Sequence, residues 1–196
     1  LYLTTQLAEL GLPMVVAVNM IDLVRKNGDK IDMKRIAGSL GCEVVGISAQ
    51  HNEGGVEAAE LAAKLVREGK KAEVPHVFTG PVEHAIAHIE ETIQGKVDAR
   101  AIRWFAVKVF ERDAEIIDML GLDEKTRQHL DAHVRDCEKE LDDDAESIIT
   151  NQRYDFIKTL VGKAVAKKRG AKTLTLSDRI DKVVTNKILA LPIFIV

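Results

Sequence analysis

Residues 14–18, the run Met-Val-Val-Ala-Val, set the first constraint on the fold. Pro13 precedes the run and Asn19 ends it. Five apolar residues in a row are too few for a buried helix and too uniform for a strand with one wet face. They fit a short strand covered on both sides, as in a parallel sheet. A second stretch of this kind, Glu-Val-Val-Gly-Ile-Ser at 43–48, follows a loop over 26–30 and a short helix over 31–40 that Gly41 ends. Upstream, residues 1–10 read as the end of a helix with Leu3, Leu7 and Leu10 on one face, stopped by Gly11-Leu12-Pro13. Downstream, 49–55 reads as a loop and 56–67 as a helix. Helix, strand, helix, strand, helix is part of a doubly wound α/β sheet, with too few strands for a whole one.

Past residue 68 the pattern changes. Residues 68–81 read as a linking stretch. After it Val82, Ile86, Ile89 and Ile93 recur at helical spacing, as do Ile102, Phe105 and Val109. Leu130, Val134, Cys137 and Leu141 make a third stripe, and Ala145, Ile149, Phe156 and Leu160 a fourth. With no strand pattern between Pro81 and Lys168, this part is expected to be all-helical. A loop over 167–177 follows, and Ser177 can cap a last helix that is wholly apolar from Ile188. The divisions expected are 1–70, a linker at 71–80, a helical domain at 81–176 and a closing segment at 177–196.

The 196 residues suffice for one large or two small domains. Aromatics make up only 4%, so the cores are built mainly from Leu, Ile, Val and Ala. A net charge of −3 argues against a general nucleic-acid binder, which carries a basic excess. Cys42 and Cys137 have no metal-ligand spacing between them and read as reduced thiols. The chain shows no secretory signal, begins at Leu1 and stops inside an apolar run, so it is read as part of something longer.

Asn19 and Asp22 stand where ligands bind in doubly wound sheets, just past the carboxyl end of a strand. A carboxylate there can accept from both N1–H and N2–H₂ of guanine, a donor pair that adenine lacks. An Asn amide can donate to N7. The plainer alternative is that the two residues cap the segment that follows. The second strand ends in Ser48-Ala49, and a Ser-Ala pair one strand later is what GTPases typically set against the guanine base. Together these resemble the fourth and fifth motifs of the translation-factor-related small GTPases. The usual pattern is Asn-Lys-x-Asp; here Met20 replaces the Lys, keeping apolar packing but not the ammonium.

Three further stretches occur in order: Arg-Trp-Phe-Ala-Val-Lys-Val-Phe-Glu at 103–111, Arg-Tyr-Asp-Phe-Ile at 153–157, and the segment 177–194. With Met20 they make the whole chain resemble the FeoB family of ferrous iron transport proteins. The resemblance implies the C-terminal part of a GTP-binding domain, a helical domain of the nucleotide-dissociation-inhibitor type, and the start of a first transmembrane helix. It carries guanine-base recognition over to Asn19, Met20, Asp22, Ser48 and Ala49. It implies GTP with Mg²⁺ whose ligands lie outside these residues, Fe²⁺ as transported ion, a bacterial or archaeal inner membrane with this portion on its cytoplasmic side, and GTPase activity in the parent. These residues alone, lacking the phosphate loop, are expected to be inactive, and no catalytic or metal-ligating residue is assigned. Small accessory Feo proteins and self-association are partners that the resemblance allows. The rivals are a ribosome-associated or other Era-like GTPase and a non-catalytic membrane-tethered scaffold.

Other features have plainer readings. His84/His88 and His129/His133 each place two histidines at i, i+4, a spacing that can hold a metal, but solvent-facing histidines are commoner. The acidic run 142–146 suits a helix start. Arg153 and Tyr154 are read as covering helical core rather than as a domain contact, and Trp104 as core. Eight basic residues between Lys163 and Lys187, before an apolar run, read as the cytoplasmic flank of a membrane span.

Overall fold

The computed structural model describes residues 1–70 and 73–168. The expected loop and membrane lead-in at 169–196 lie outside the described residues. Among those described, no helix is long and apolar enough to cross a membrane.

The chain opens with α1 (Tyr2–Ala8), β1 (Val15–Val18), α2 (Ile21–Asn27), β2 (Lys30–Ile31), α3 (Met33–Leu40), β3 (Glu43–Gly46) and α4 (Gly55–Arg67). β1 and β3 pair in parallel, with Val15 opposite Glu43 and Val18 opposite Gly46. α3 packs on β3, and α4 on both strands. Among the described residues β1 pairs on one side only and is less covered than its sequence suggests: its valines are half-buried and Ala17 is exposed. α1 also departs from expectation. Leu3 and Leu7 face outward, at 65% and 48% exposure, while Thr5 and Ala8 are buried. The helix is turned so that Tyr2 reaches the later helices, its ring 5.3 Å from that of Tyr154.

Asp32 starts α3 by accepting from the Arg35 backbone N–H at 3.0 Å, and Gly41 stops it in the left-handed conformation at φ 66°. A Cβ at Gly41 would stand 2.0 Å from the Glu73 carbonyl oxygen. Gly41→Ala therefore meets both the left-handed penalty and a backbone collision, and is expected to cost about 2–4 kcal/mol. Gly38, inside the same helix with open space around its Cβ position, is the control. Gly38→Ala should instead stabilise by about 0.5–1 kcal/mol. Urea unfolding midpoints of the two variants should move in opposite directions.

The helical part comprises α5 (Gly80–Ile93), α6 (Ile102–Phe110), α7 (Ala114–Met119), α8 (Glu124–Leu141) and α9 (Ala145–Ala164). Pro81 sits in the first turn of α5, and Asp113, Asp123 and Asp144 cap α7, α8 and α9. The apolar stripes meet in one core containing Val82, Ile86, Ile89, Ile93, Val109, Leu130, Val134 and Ile149. Leu141 is the exception in its stripe, exposed at the end of α8. Trp104 is half-buried, edge-on to Phe105, and lies outside the buried core.

Two findings tie the α/β part to the helical part in ways the sequence does not show. A strand does follow Pro81. β4 (Val165–Ala166) pairs antiparallel with β2, and Lys30 of that pair falls inside the expected 26–30 loop. The Asp32 N–H donates to Ala164 O at 2.8 Å and the Lys168 N–H to Asp29 Oδ1 at 2.9 Å, reinforcing the seam. Two-residue strands have no periodicity of their own, so only their partner 134–136 positions away defines them. Second, Arg153 is a contact between the parts. It is 2% exposed, and its guanidinium donates to both carboxylate oxygens of Glu9 in the turn after α1, at 3.1 and 2.8 Å. A small second core, Ile36 and Leu40 against Leu160 and Ala164, completes the junction.

Candidate functional site

The five residues singled out in the sequence come together where β1 and β3 end side by side. The Ile47 N–H donates to Val18 O at 2.8 Å, and the Ile21 N–H donates to Ile47 O at 3.1 Å, so the two loops leave the sheet stitched to each other. Asn19 adds a side-chain link. Its Oδ1 accepts from the Met20 N–H at 2.8 Å and from the Ala49 N–H at 3.1 Å, across the strand boundary. Its amide nitrogen donates to no described residue. Met20 adopts a left-handed conformation, φ 65°, just before α2, and its side chain is 60% exposed. A methionine is uncommon there, since the left-handed region is unfavourable for side chains with a Cβ.

Asp22 lies in the first turn of α2, facing Ser48 and His51. Its carboxyl is held below the usual carboxylate range, chiefly by the neighbouring Ser48 hydroxyl, with the nearby backbone N–H groups and His51 adding. His51 Nε2 is 3.7 Å from Asp22 Oδ2. The Ser48–Asp22 contact falls short of full hydrogen-bond geometry. Ser48 Oγ is buried and, among the described residues, has no hydrogen-bond partner. An orphaned buried hydroxyl beside an ionised carboxylate marks a place where a small adjustment completes the bonding.

The second loop is closed on itself. Ser48 and Glu53 exchange backbone hydrogen bonds, both 3.0 Å, around the single turn Ala49–His51. Gly54 follows at φ +78°, where a Cβ would lie 2.6 Å from the Gly46 carbonyl oxygen. Arg25 Nη1 donates to Glu53 Oε1 at 2.6 Å and ties the loop to α2. His51, Glu53 and Arg25 were not singled out from the sequence. They lie in the loop and helix flanking the two motifs, and nothing in their spacing marks them.

Among the described residues no three His, Cys, Asp or Glu side chains converge as metal ligands. The arrangement is a shallow, mostly polar platform at the carboxyl end of a parallel strand pair. It presents an ionised carboxylate and an amide N–H₂ that donates to no described residue, an acceptor and a donor that a planar heterocycle would meet.

These features define the C-terminal part of a P-loop-GTPase-like α/β domain followed by a helical domain. The comparisons name the family. The family model "Ferrous iron transport protein B" matches residues 1–62, and the model "FeoB cytosolic helical domain" matches residues 78–166. The chain belongs to the FeoB family. The Fe(2+) transporter FeoB of Escherichia coli K12 is 30% identical over 195 residues, covering 100% of this chain and 24% of that protein. A Porphyromonas gingivalis protein described as an Fe(2+) transport protein A/Fe(2+) transporter FeoB fusion is 32% identical over 206 residues, again covering 100% and 24%. The chain thus spans about a quarter of the length of these relatives. Among solved structures, NFeoB of S. thermophilus bound to mGMPPNP is 33% identical with a TM-score of 0.74, covering 86% of this chain and 63% of that one. NFeoB of S. thermophilus bound to GDP.AlF4⁻ and K⁺ is 33% identical with a TM-score of 0.71, covering 81% and 62%.

Proposed function

We propose that these residues recognise the guanine base and relay nucleotide state to the membrane domain in a GTP-dependent ferrous iron transporter. The observation that carries the reading is the clamp made by Asn19 Oδ1. One side-chain oxygen holds both loops, at Met20 and Ala49, and leaves its amide nitrogen free. In this reading that amide donates to guanine N7, and the Asp22 carboxylate accepts from N1–H and N2–H₂. Ala49 offers its backbone N–H to O6, shared with Asn19, and the unpaired Ser48 hydroxyl steadies Asp22. Exposed Met20 lies along the nucleotide with an apolar stem in place of the usual ammonium. The guanine-nucleotide complexes of the S. thermophilus relatives support this reading.

The 196 residues contain no Gly-x-x-x-x-Gly-Lys-Ser/Thr stretch. In this proposal the phosphates, Mg²⁺ and hydrolysis are handled elsewhere in the protein, and residues 1–196 alone do not turn over GTP. The divisions 1–70, 71–80, 81–176 and 177–196 serve as base site, linker, helical relay and membrane entry on the cytoplasmic side. The Arg153–Glu9 contact and the β2–β4 seam support a relay role, because they tie the α/β part to the helical part at the middle of α9 and just past its C-terminal end. The fusion of a transport protein A to the P. gingivalis relative supports a small accessory partner.

Asp22→Asn in the full-length protein tests the base assignment. The amide donates where the carboxylate accepted, so GTP affinity should fall by on the order of 2–4 kcal/mol while xanthosine triphosphate gains. Titration of both nucleotides reads the exchange, and GTP affinity equal to that of the unaltered protein rules the assignment out.

A further inference from the structure

The carboxylate assigned to the guanine base has two neighbours in the second loop, and the loop's own geometry sets them there. Ala49–His51 forms one turn of 3₁₀ helix, closed by the His51 N–H donating to Ser48 O at 3.1 Å. Such a turn has three residues per revolution, so side chains three positions apart stand on the same side. Ser48 and His51 are so spaced, and both face Asp22. Ser48 brings the buried hydroxyl that has no partner among the described residues. His51 brings an imidazole whose Nε2 lies 3.7 Å from Asp22 Oδ2.

The turn is held in place. Asn52 ends it in the left-handed conformation at φ 52°, Ser48 and Glu53 bond each other's backbones beneath it, and Arg25 pins Glu53 to α2. The imidazole is 60% exposed and the Asp22 side chain 23%, so protons reach both from solvent. The charged groups that flank His51 are Asp22, Arg25 and Lys26 on α2 and Glu53 in its own loop. Arg25 and Glu53 pair with each other at 2.6 Å, and Lys26 is a cation, which leaves Asp22 as the anion that faces the imidazole. The two groups already feel each other, since His51 helps to hold the Asp22 carboxyl below its usual range.

Guanine and an imidazolium ask for the same thing. The base offers Asp22 two N–H donors, the positive side of its edge. A protonated His51 offers the same carboxylate a third N–H together with a full charge, and a small side-chain rotation closes 3.7 Å to the ~2.7–2.9 Å of a charge-assisted bond. A neutral imidazole has no charge with which to compete.

We propose that His51 is a positioning residue that makes base recognition sensitive to pH: protonated, it draws Asp22 Oδ2 away from the guanine N–H groups, and neutral, it leaves both carboxylate oxygens to the base. This rests on the base-site reading above and adds a regulation to that site. The nucleotide-free protein then holds the His51 proton more tightly than the complex does. Guanine-nucleotide affinity is therefore full at about pH 8 and declines towards about pH 5.5, across the range in which imidazoles ordinarily change charge.

The test is calorimetric titration of the full-length protein with GDP and Mg²⁺ at those two pH values, beside His51→Gln, whose side chain stays neutral. The terminal phosphate of GDP also takes up a proton in this window, but equally for both proteins, so the ratio of their affinities is the readout. On acidification the unaltered protein should lose about 2–5-fold more affinity than His51→Gln, the size expected of a partly exposed ion pair. His51→Lys, cationic throughout, should bind more weakly than His51→Gln at both pH values. In an Asp22→Asn background, with xanthosine diphosphate as the probe, adding His51→Gln should leave the pH profile as it was, because the amide has no charge to attract. Both substitutions of His51 fall on an exposed side chain, and circular dichroism should show the fold retained. Coincident profiles for the unaltered protein and His51→Gln, or the same difference persisting with Asp22→Asn, would overturn the proposal. Unchanged GTP affinity in Asp22→Asn alone would instead remove the base reading, and this inference with it; the expected loss there with coincident profiles here removes only the role of His51.

Discussion

Arg153→Ala is expected to destabilise the chain by about 3–5 kcal/mol, the cost of stranding one member of a buried ion pair. Arg153 and Glu9 are 2% and 1% exposed and meet through a two-pronged contact, with Tyr2 Oη and Glu111 Oε1 each 3.4 Å from the guanidinium. Burial raises the Glu9 carboxyl above its ordinary 4.5, outweighing the pull of Arg153 in the other direction. Without the guanidinium the carboxylate loses its main compensation and takes up a proton more readily. The pH dependence follows. A raised folded-state value means that the folded chain binds more protons than the unfolded one between 4.5 and that value. Stability of the alanine variant should therefore be best below that window and fall as pH rises through it. Arg153→Met combined with Glu9→Gln should recover much of the loss, because it removes both charges and keeps the volume. Urea unfolding at two pH values measures all of this. An alanine variant as stable as the unaltered chain would show that the pair holds nothing together.

Phe78→Ala should cost a similar amount, about 3–5 kcal/mol, and for a reason that area alone does not cover. Phe78 is 2% exposed, just ahead of α5, with the Arg103 guanidinium carbon 5.5 Å from its ring centre and that of Arg153 5.6 Å away. Arg103 is anchored in turn to Glu83 and Glu90. The ring thus attracts two like charges through its π system, worth about 0.5–2 kcal/mol apiece. Phe78→Leu keeps most of the apolar volume but not the π face. If the faces matter, leucine recovers only part of the alanine loss; if burial is everything, it recovers nearly all. Thermal unfolding of the two variants separates these outcomes.

Much of the site was legible because its chemistry is local. A buried run ending in Asn-x-x-Asp, and a second ending in Ser-Ala, place their side chains at strand ends whatever else the chain does. The period of two or of 3.6 decides element type from neighbours a few positions apart. The four helical stripes therefore predicted residues that are buried in a core or packed against one, Leu141 excepted. Resemblance supplied the family, since the order of motifs along the chain is itself sequence information.

What the sequence could not express is which distant residues meet. Arg153 reads as a helix-surface cation until Glu9, 144 positions earlier, is packed against it. Val165–Ala166 is a strand only because Lys30–Ile31 lies beside it. The outward turn of Leu3 and Leu7 on α1 follows from Tyr2 seating against α9, not from the helix's own pattern. The histidine pairs become one cluster because α5 and α8 pack with those faces together. Sequence determined the elements, their caps and the residues at the strand ends, all set by steric and hydrogen-bonding rules within a few residues. Tertiary structure decided the partners of every buried charge, because burying a charge is favourable only against another group that folding alone delivers.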